Sequence, residues 1–247
     1  MKSMKTKVIL FILFLSVIDC TMIFSQDNGR ADRREVIIRF INMVGSESLI
    51  LDSSYTNLFG ETFAVSKFRY YISNITFHDT VLKVKFQVAD SYFLVDQANA
   101  ESQTLTLPSP STYNAISFLI GVDSAKSVNG AQNGALDPLN DMFWTWNTGY
   151  VMVKLEGTSR VSKLQRRLIE YHIGGFREPF NSLREVYLSL SNESLPRSDI
   201  SIIADINYLF GGKHTLKIAN NSACTIPGPL AVSYAENYQK MFYLKTP

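Results

Sequence analysis

Residues 63–78 read Phe63-Ala64-Val65-Ser66-Lys67-Phe68-Arg69-Tyr70-Tyr71-Ile72-Ser73-Asn74-Ile75-Thr76-Phe77-His78. Apolar and polar side chains alternate here at close to period two, and aromatic and β-branched types dominate, so the stretch is expected to be a strand with Tyr70, Ile72 and Ile75 pointing inward. Working outward, residues 36–42 form a β-branched run that ends at the Gly45 turn. Residues 80–95 repeat the alternating pattern after a turn at Asp79. Further β-type runs fall at 104–107, 113–122, 150–156, 168–173, 185–190, 200–209 and 214–218.

About ten short strands separated by Gly, Pro, Asn and Ser turns, with no alternating helices, predict a mostly β protein, an antiparallel β-sandwich. The exception lies at 230–242. There Leu230, Tyr234, Tyr238, Met241 and Phe242 share one helical face after the breaker Pro227-Gly228-Pro229, which predicts a short C-terminal helix packed on the sheet.

The first residues carry Lys2, Lys5 and Lys7, followed by an apolar run at 8–18 broken only by Ser16, and then Asp19, Cys20 and Thr21. This order predicts a signal peptide over 1–25, cut near Ser25/Gln26, and a periplasmic or secreted protein. The run falls short of the about 20 apolar residues that a membrane span requires. Lipidation at Cys20 is the alternative, disfavoured because acidic Asp19 stands where a small residue is expected. Residues 26–34 are polar and read as a flexible leader, and 35–247 as a single domain.

The whole chain has a net charge of +2. Removing Lys2, Lys5, Lys7 and Asp19 takes away that same +2, so the mature chain is neutral and has no basic excess for nucleic acid or anionic membranes. Cys224 is then the lone cysteine, and no intramolecular disulfide is expected.

No Gly-x-Ser-x-Gly elbow, Gly-rich phosphate loop, His-Glu-x-x-His or Cys-x-x-Cys occurs, so no enzymatic activity is expected. The three histidines, His78, His172 and His214, are isolated from one another in sequence. Ligands from distant strands of a sandwich can still converge, and imidazole suits copper and zinc.

The most informative segment is 120–157. It holds both tryptophans, Trp144 and Trp146, together with Asp137, Asn140 and Asp141, in a long connection between two strands. Its polar residues could form turns while the indoles cap the core, or they could supply oxygen ligands to Ca²⁺, although the EF-hand spacing is absent. Alternatively, Trp144, Trp146 and the nearby Asp and Asn residues could form a surface for a partner protein or a carbohydrate.

This segment resembles the MbnP-like family, copper-binding periplasmic proteins associated with methanobactin operons. The block Lys67-Phe68-Arg69-Tyr70-Tyr71-Ile72-Ser73-Asn74 is similar to the family's Tyr-Tyr-Ile-Ser-Asn block. Tyr171-His172-Ile173-Gly174-Gly175 is similar to its His-x-Gly block, and 229–242 resembles it more weakly. The resemblance implies a β-sandwich that binds copper for acquisition, storage or handover, with His172 as the anchor ligand and His78 and His214 as the remaining candidates. It also implies a tryptophan, Trp144 or Trp146, open to oxidation by a di-haem partner enzyme of the MauG type. One departure is Asn42, which stands where a copper-binding member is expected to have histidine.

Overall fold

A computed structural model of the protein describes residues 34–129, 132–145, 147–195 and 197–245. The expected signal peptide, Cys20 and nearly all of the leader lie outside the described residues, as does Trp146.

In chain order the strands are β1 (Arg34–Val44), β2 (Glu47–Ser48), β3 (Ser54–Thr56), β4 (Thr62–Asp79), β5 (Val84–Gln87), β6 (Tyr92–Asp96), β7 (Thr104–Ser109) and β8 (Ala115–Ile120). There follow β9 (Phe143–Thr145), β10 (Gly149–Ser159), β11 (Leu168–Gly174), β12 (Arg184–Ser189), β13 (Asp199–Asp205), β14 (Ala223–Cys224) and β15 (Phe242–Leu244). Three short helices are α1 (Ser124–Val128), α2 (Asn207–Gly211) and α3 (Pro229–Tyr238).

The strands build two sheets. The larger runs β12-β8-β4-β10-β11-β14, with β3, β5 and β6 also pairing with β4 and β9 pairing with β10. The smaller runs β15-β13-β1-β2, with β7 pairing with β1. Most pairings are antiparallel, as expected of the sandwich, but β1–β13 and β11–β14 are parallel. A parallel pair needs a long crossover that periodicity alone does not reveal.

β1 shows why the sheets stack. Val36, Ile38, Phe40, Asn42 and Val44 alternate inward. Phe40 meets Tyr70 of β4 at a centroid distance of 6.1 Å, Phe118 of β8 at 5.9 Å and Phe242 of β15 at 6.3 Å, all edge to face.

The imperfect period of β4 has a structural cause. Its core-facing residues are Phe63, Val65, Phe68, Tyr70, Ile72, Ile75 and Phe77. The spacing lengthens by one residue at each of two register shifts, one against β10 between Val65 and Lys67 and one against β8 between Ser73 and Thr76. At the first shift the strands approach so closely that a Cβ on Gly157 would stand 1.9 Å from the Ala64 carbonyl oxygen. At the second, Asn74 adopts φ 53°, a left-handed conformation that asparagine tolerates better than most residues.

Three expected elements are corrected. The run 200–209 is strand only through Asp205, then turns into α2, because the Asp205 carboxylate accepts N–H bonds from Gly45 and Asn207 and ends the ladder. Residues 214–218 are not a strand; they are held by Asn237 of α3, whose side chain accepts from the His214 amide and donates to its carbonyl. The C-terminal helix stops at Tyr238 because Phe242 is recruited into β15 opposite Ala204.

A second apolar cluster lies on the outer face of the large sheet. Tyr71 of β4 and Tyr150 and Met152 of β10 point away from the main core, and Val122, Leu136, Met142, Val151 and Phe176 complete this layer. The connection between β8 and β10 therefore folds back over the sheet. It is a docked layer rather than slack.

Candidate functional site

The docked loop is held at its base by two tyrosines. The Tyr71 hydroxyl donates to the Ala135 carbonyl at 2.9 Å and the Tyr150 hydroxyl to the Leu136 carbonyl at 2.7 Å. Their rings meet edge to face at 5.6 Å, and Phe143 packs on Tyr150 at 4.9 Å. Both hydroxyls are committed to the loop, so the sheet dictates the loop's path.

Trp144 sits in β9, half-buried against this cluster. A Cβ on Gly174 would lie 2.8 Å from the Trp144 ring and 2.6 Å from the Tyr150 carbonyl oxygen. Glycine in the Tyr171–Gly175 block is thus required by the approach of Trp144, which ties two of the recognisable sequence blocks together in space. Met142 is fully buried in the same apolar layer.

Asp137, Asn140 and Asp141 are used in building the loop. Asp137 caps a 3₁₀ turn, Pro138–Asn140, by accepting from the Leu139 amide at 2.9 Å. The Asn140 carboxamide donates to the Gly134 and Ala135 carbonyls, while its own carbonyl accepts from Arg69 at 2.9 Å. Asp141, with φ 57°, pairs with Lys154 at 2.9 Å and Lys67 at 3.2 Å. Asp137 Oδ1 thus serves a turn and Asp141 Oδ2 the ion pairs.

His172 lies beside this ion-pair group. Lys154 is flanked by His172 on β11 and Arg69 on β4, and the His172 Nε2 meets a Glu156 carboxylate oxygen at 2.8 Å. Lys67 reaches the other Glu156 oxygen at 3.2 Å. Partial burial works against ionisation of Asp141 and Glu156, yet the hydrogen bonds from Lys154 and Lys67 to the first, and from His172 and Lys67 to the second, hold both carboxyls below their ordinary values. The Lys154 side chain is only 4% exposed, and its ammonium is met by the Asp141 carboxylate and backbone carbonyl and, at 4.0 Å, by Glu156.

The other histidines lie elsewhere. His78 is buried near the far end of β4, with its Nε2 2.8 Å from the Ser117 hydroxyl. Arg69, the β4 neighbour of Lys154, is nine residues from His78 along the strand, which places His78 on the order of 30 Å from His172. His214 follows α2 and hydrogen-bonds Glu236 of α3. Among the described residues no group of three or more His, Cys, Asp or Glu is placed to hold a metal ion. The three histidines therefore do not fit a shared copper site. Asn42, inside the sandwich, accepts from the Tyr70 hydroxyl and donates to Gln97, a satisfied structural role.

Sequence reasoning missed Lys67, Arg69, Lys154 and Glu156. A signal was present: Lys67 and Arg69 stand two residues apart in one strand and Lys154 and Glu156 two apart in another, which places each pair on one sheet face.

The molecule is thus a β-sandwich with an aromatic loop clasped on the outer face of its larger sheet and a buried lysine latching that loop. The chain belongs to the MbnP family, whose model matches residues 33–226. Its fold is similar to that of MbnP from Methylosinus trichosporium, with a TM-score of 0.56 and 15% sequence identity over 81% of this chain and 87% of that one. No curated protein matches. No helix among the described residues is long and apolar enough to cross a membrane.

Proposed function

We propose that the protein is an extracytoplasmic, non-enzymatic binding protein of the MbnP family that works through the face built by its tryptophan loop, recognising a partner protein or a carbohydrate. One observation carries this. The loop is anchored by two tyrosine hydroxyls and a buried lysine, yet it holds Leu139 at its tip 91% exposed. A loop fixed at its base while presenting an apolar side chain to solvent is preorganised for contact. Export is supported by the basic and apolar order of residues 1–25.

Copper binding is the second reading, favoured by family membership and by His172 lying on this same face. In that reading His172 is the anchoring imidazole, and Trp144 or Trp146 is the indole that a di-haem partner of the MauG type would oxidise. His78 is bonded to Ser117 and His214 to Glu236, so in that reading His172 is the one histidine on this face.

A photo-crosslinking amino acid at position 139, expressed in the native host, tests the first reading. It should trap a discrete adduct that is lost on Trp144→Ala and is not obtained from a probe at Tyr208. Equal trapping from both positions, or none, would reject the loop as the working face. Cu(I) titration serves the second reading: one equivalent bound by the wild type and lost in His172→Ala would support it.

A further inference from the structure

A groove of about 500 Å³ opens on the outer face of the large sheet at the His78 end. Cross-strand register aligns Gln87 of β5, Thr76 of β4, Ser117 of β8 and Tyr187 of β12 in one row. His78 stands opposite Lys85 in the next row, and Glu185 closes the far wall.

The floor is polar but uncharged near neutral pH. His78 and Ser117 are buried and hydrogen-bonded to each other, and burial, aided by Lys85, holds the imidazole below its ordinary value against the opposing pull of Glu185. The walls carry one ammonium and one carboxylate, so the groove has no net charge. The side chains of Lys85, Gln87 and Glu185 have no hydrogen-bond partner among the described residues, which leaves their donors and acceptors available.

Beside this lining, next to Ser117 across the strands, stands the aromatic ring of Tyr187. Its ring packs on the His78 ring at a centroid distance of 5.2 Å with 59° between the planes, yet the residue is 52% exposed. An anion would find the single lysine offset by Glu185, a metal ion would find one imidazole, and an apolar peptide side chain would find a mostly polar lining. A pyranose ring suits all the features: its C–H face lies on an aromatic ring, and its vicinal hydroxyls pair with carboxamide, ammonium and carboxylate groups.

We propose that the His78–Tyr187 groove is a binding site for a neutral pyranose oligosaccharide. It shares no residue with the tryptophan loop. Failure of either assignment leaves the other standing.

The test is amide-detected NMR titration of the purified protein with maltohexaose, cellohexaose and mannohexaose. At least one should produce saturable shifts centred on Thr76, Gln87, Ser117 and Tyr187. Tyr187→Ala and Gln87→Ala should each weaken binding by about ten-fold, while Tyr187→Phe, which keeps the ring, and Tyr208→Ala, outside the groove's lining, should bind as the wild type does. Circular dichroism identical to wild type shows that the variants are folded. The assignment is overturned if no hexasaccharide gives saturable shifts, if the shifts centre elsewhere, or if both alanine variants bind normally. Tighter binding of a heparin hexasaccharide than of any neutral one would also overturn it, since the site would then be reading charge.

Discussion

Lys154 and Asp141 form a pair with unequal dependence on each other. The Lys154 side chain is 4% exposed and that of Asp141 63%, so losing the carboxylate leaves a buried ammonium with only the Asp141 carbonyl and, at 4.0 Å, Glu156 to meet it, whereas losing the ammonium leaves an anion already in water. Asp141→Ala is therefore expected to cost about 1–3 kcal/mol in denaturant unfolding, and Lys154→Met less than about 1 kcal/mol. Equal losses would show that the pair is symmetric and that burial does not set its worth. His78 makes a different prediction, about pH. Its folded pKa lies below the ordinary imidazole value of 6.5, with burial the larger cause and Lys85 the second, while Glu185 opposes them. The unfolded chain then takes up a proton before the folded one does, so stability from this group is complete above pH 6.5 and falls as pH drops through that value toward the folded pKa. His78→Gln should flatten the stability profile between about pH 7 and 5; an unchanged slope would mean that another group carries it. The carboxyls of Asp141 and Glu156 act at lower pH, their stabilisation being lost as pH falls through their depressed folded values.

β4 is the element on which the larger sheet is assembled, pairing with β3, β5, β6, β8 and β10. Its inward set was legible in sequence for Tyr70, Ile72 and Ile75, because aromatic and β-branched residues mark it. The two extra residues that shift its register were not, since a bulge leaves no compositional trace beyond an irregular period. The bulge at Asn74 matters for the outer face: the Asn74 amide donates to the Ser91 carbonyl and its side chain to Asp123, which caps α1 at the start of the tryptophan loop. Asn74→Val would force a β-branched residue into the left-handed region and is expected to cost about 1–3 kcal/mol in thermal or denaturant unfolding. Asn74→Gly, which accepts that conformation freely, should cost less. A valine variant as stable as the glycine one would mean that the backbone there relaxes to ordinary strand geometry.

For the whole molecule, the sandwich was readable because both sheets announce themselves by inward alternation, and the family blocks at 67–74 and 171–175 were readable as motifs. Their spatial relation was not: Gly174 against Trp144, and Tyr71 against the loop, join residues far apart in sequence through register. The histidines illustrate the same limit in the other direction. Scarcity made His78, His172 and His214 appear as one set, but the topology gives them to a groove, an ion-pair group and a helix contact. The connection at 120–157 stands out in the sequence by its tryptophans, and in the structure Asp137 caps a turn while Asp141 latches the loop to Lys154 and Lys67. The preference for the loop face over a copper site draws on this separation of the histidines, and the copper content of the protein purified from its native host, wild type beside His172→Ala, tests it most directly. The arrangement predicts well under one copper per chain in both preparations; one copper per chain in the wild type, lost in the variant, would contradict it and establish His172 as the anchor of a metal site.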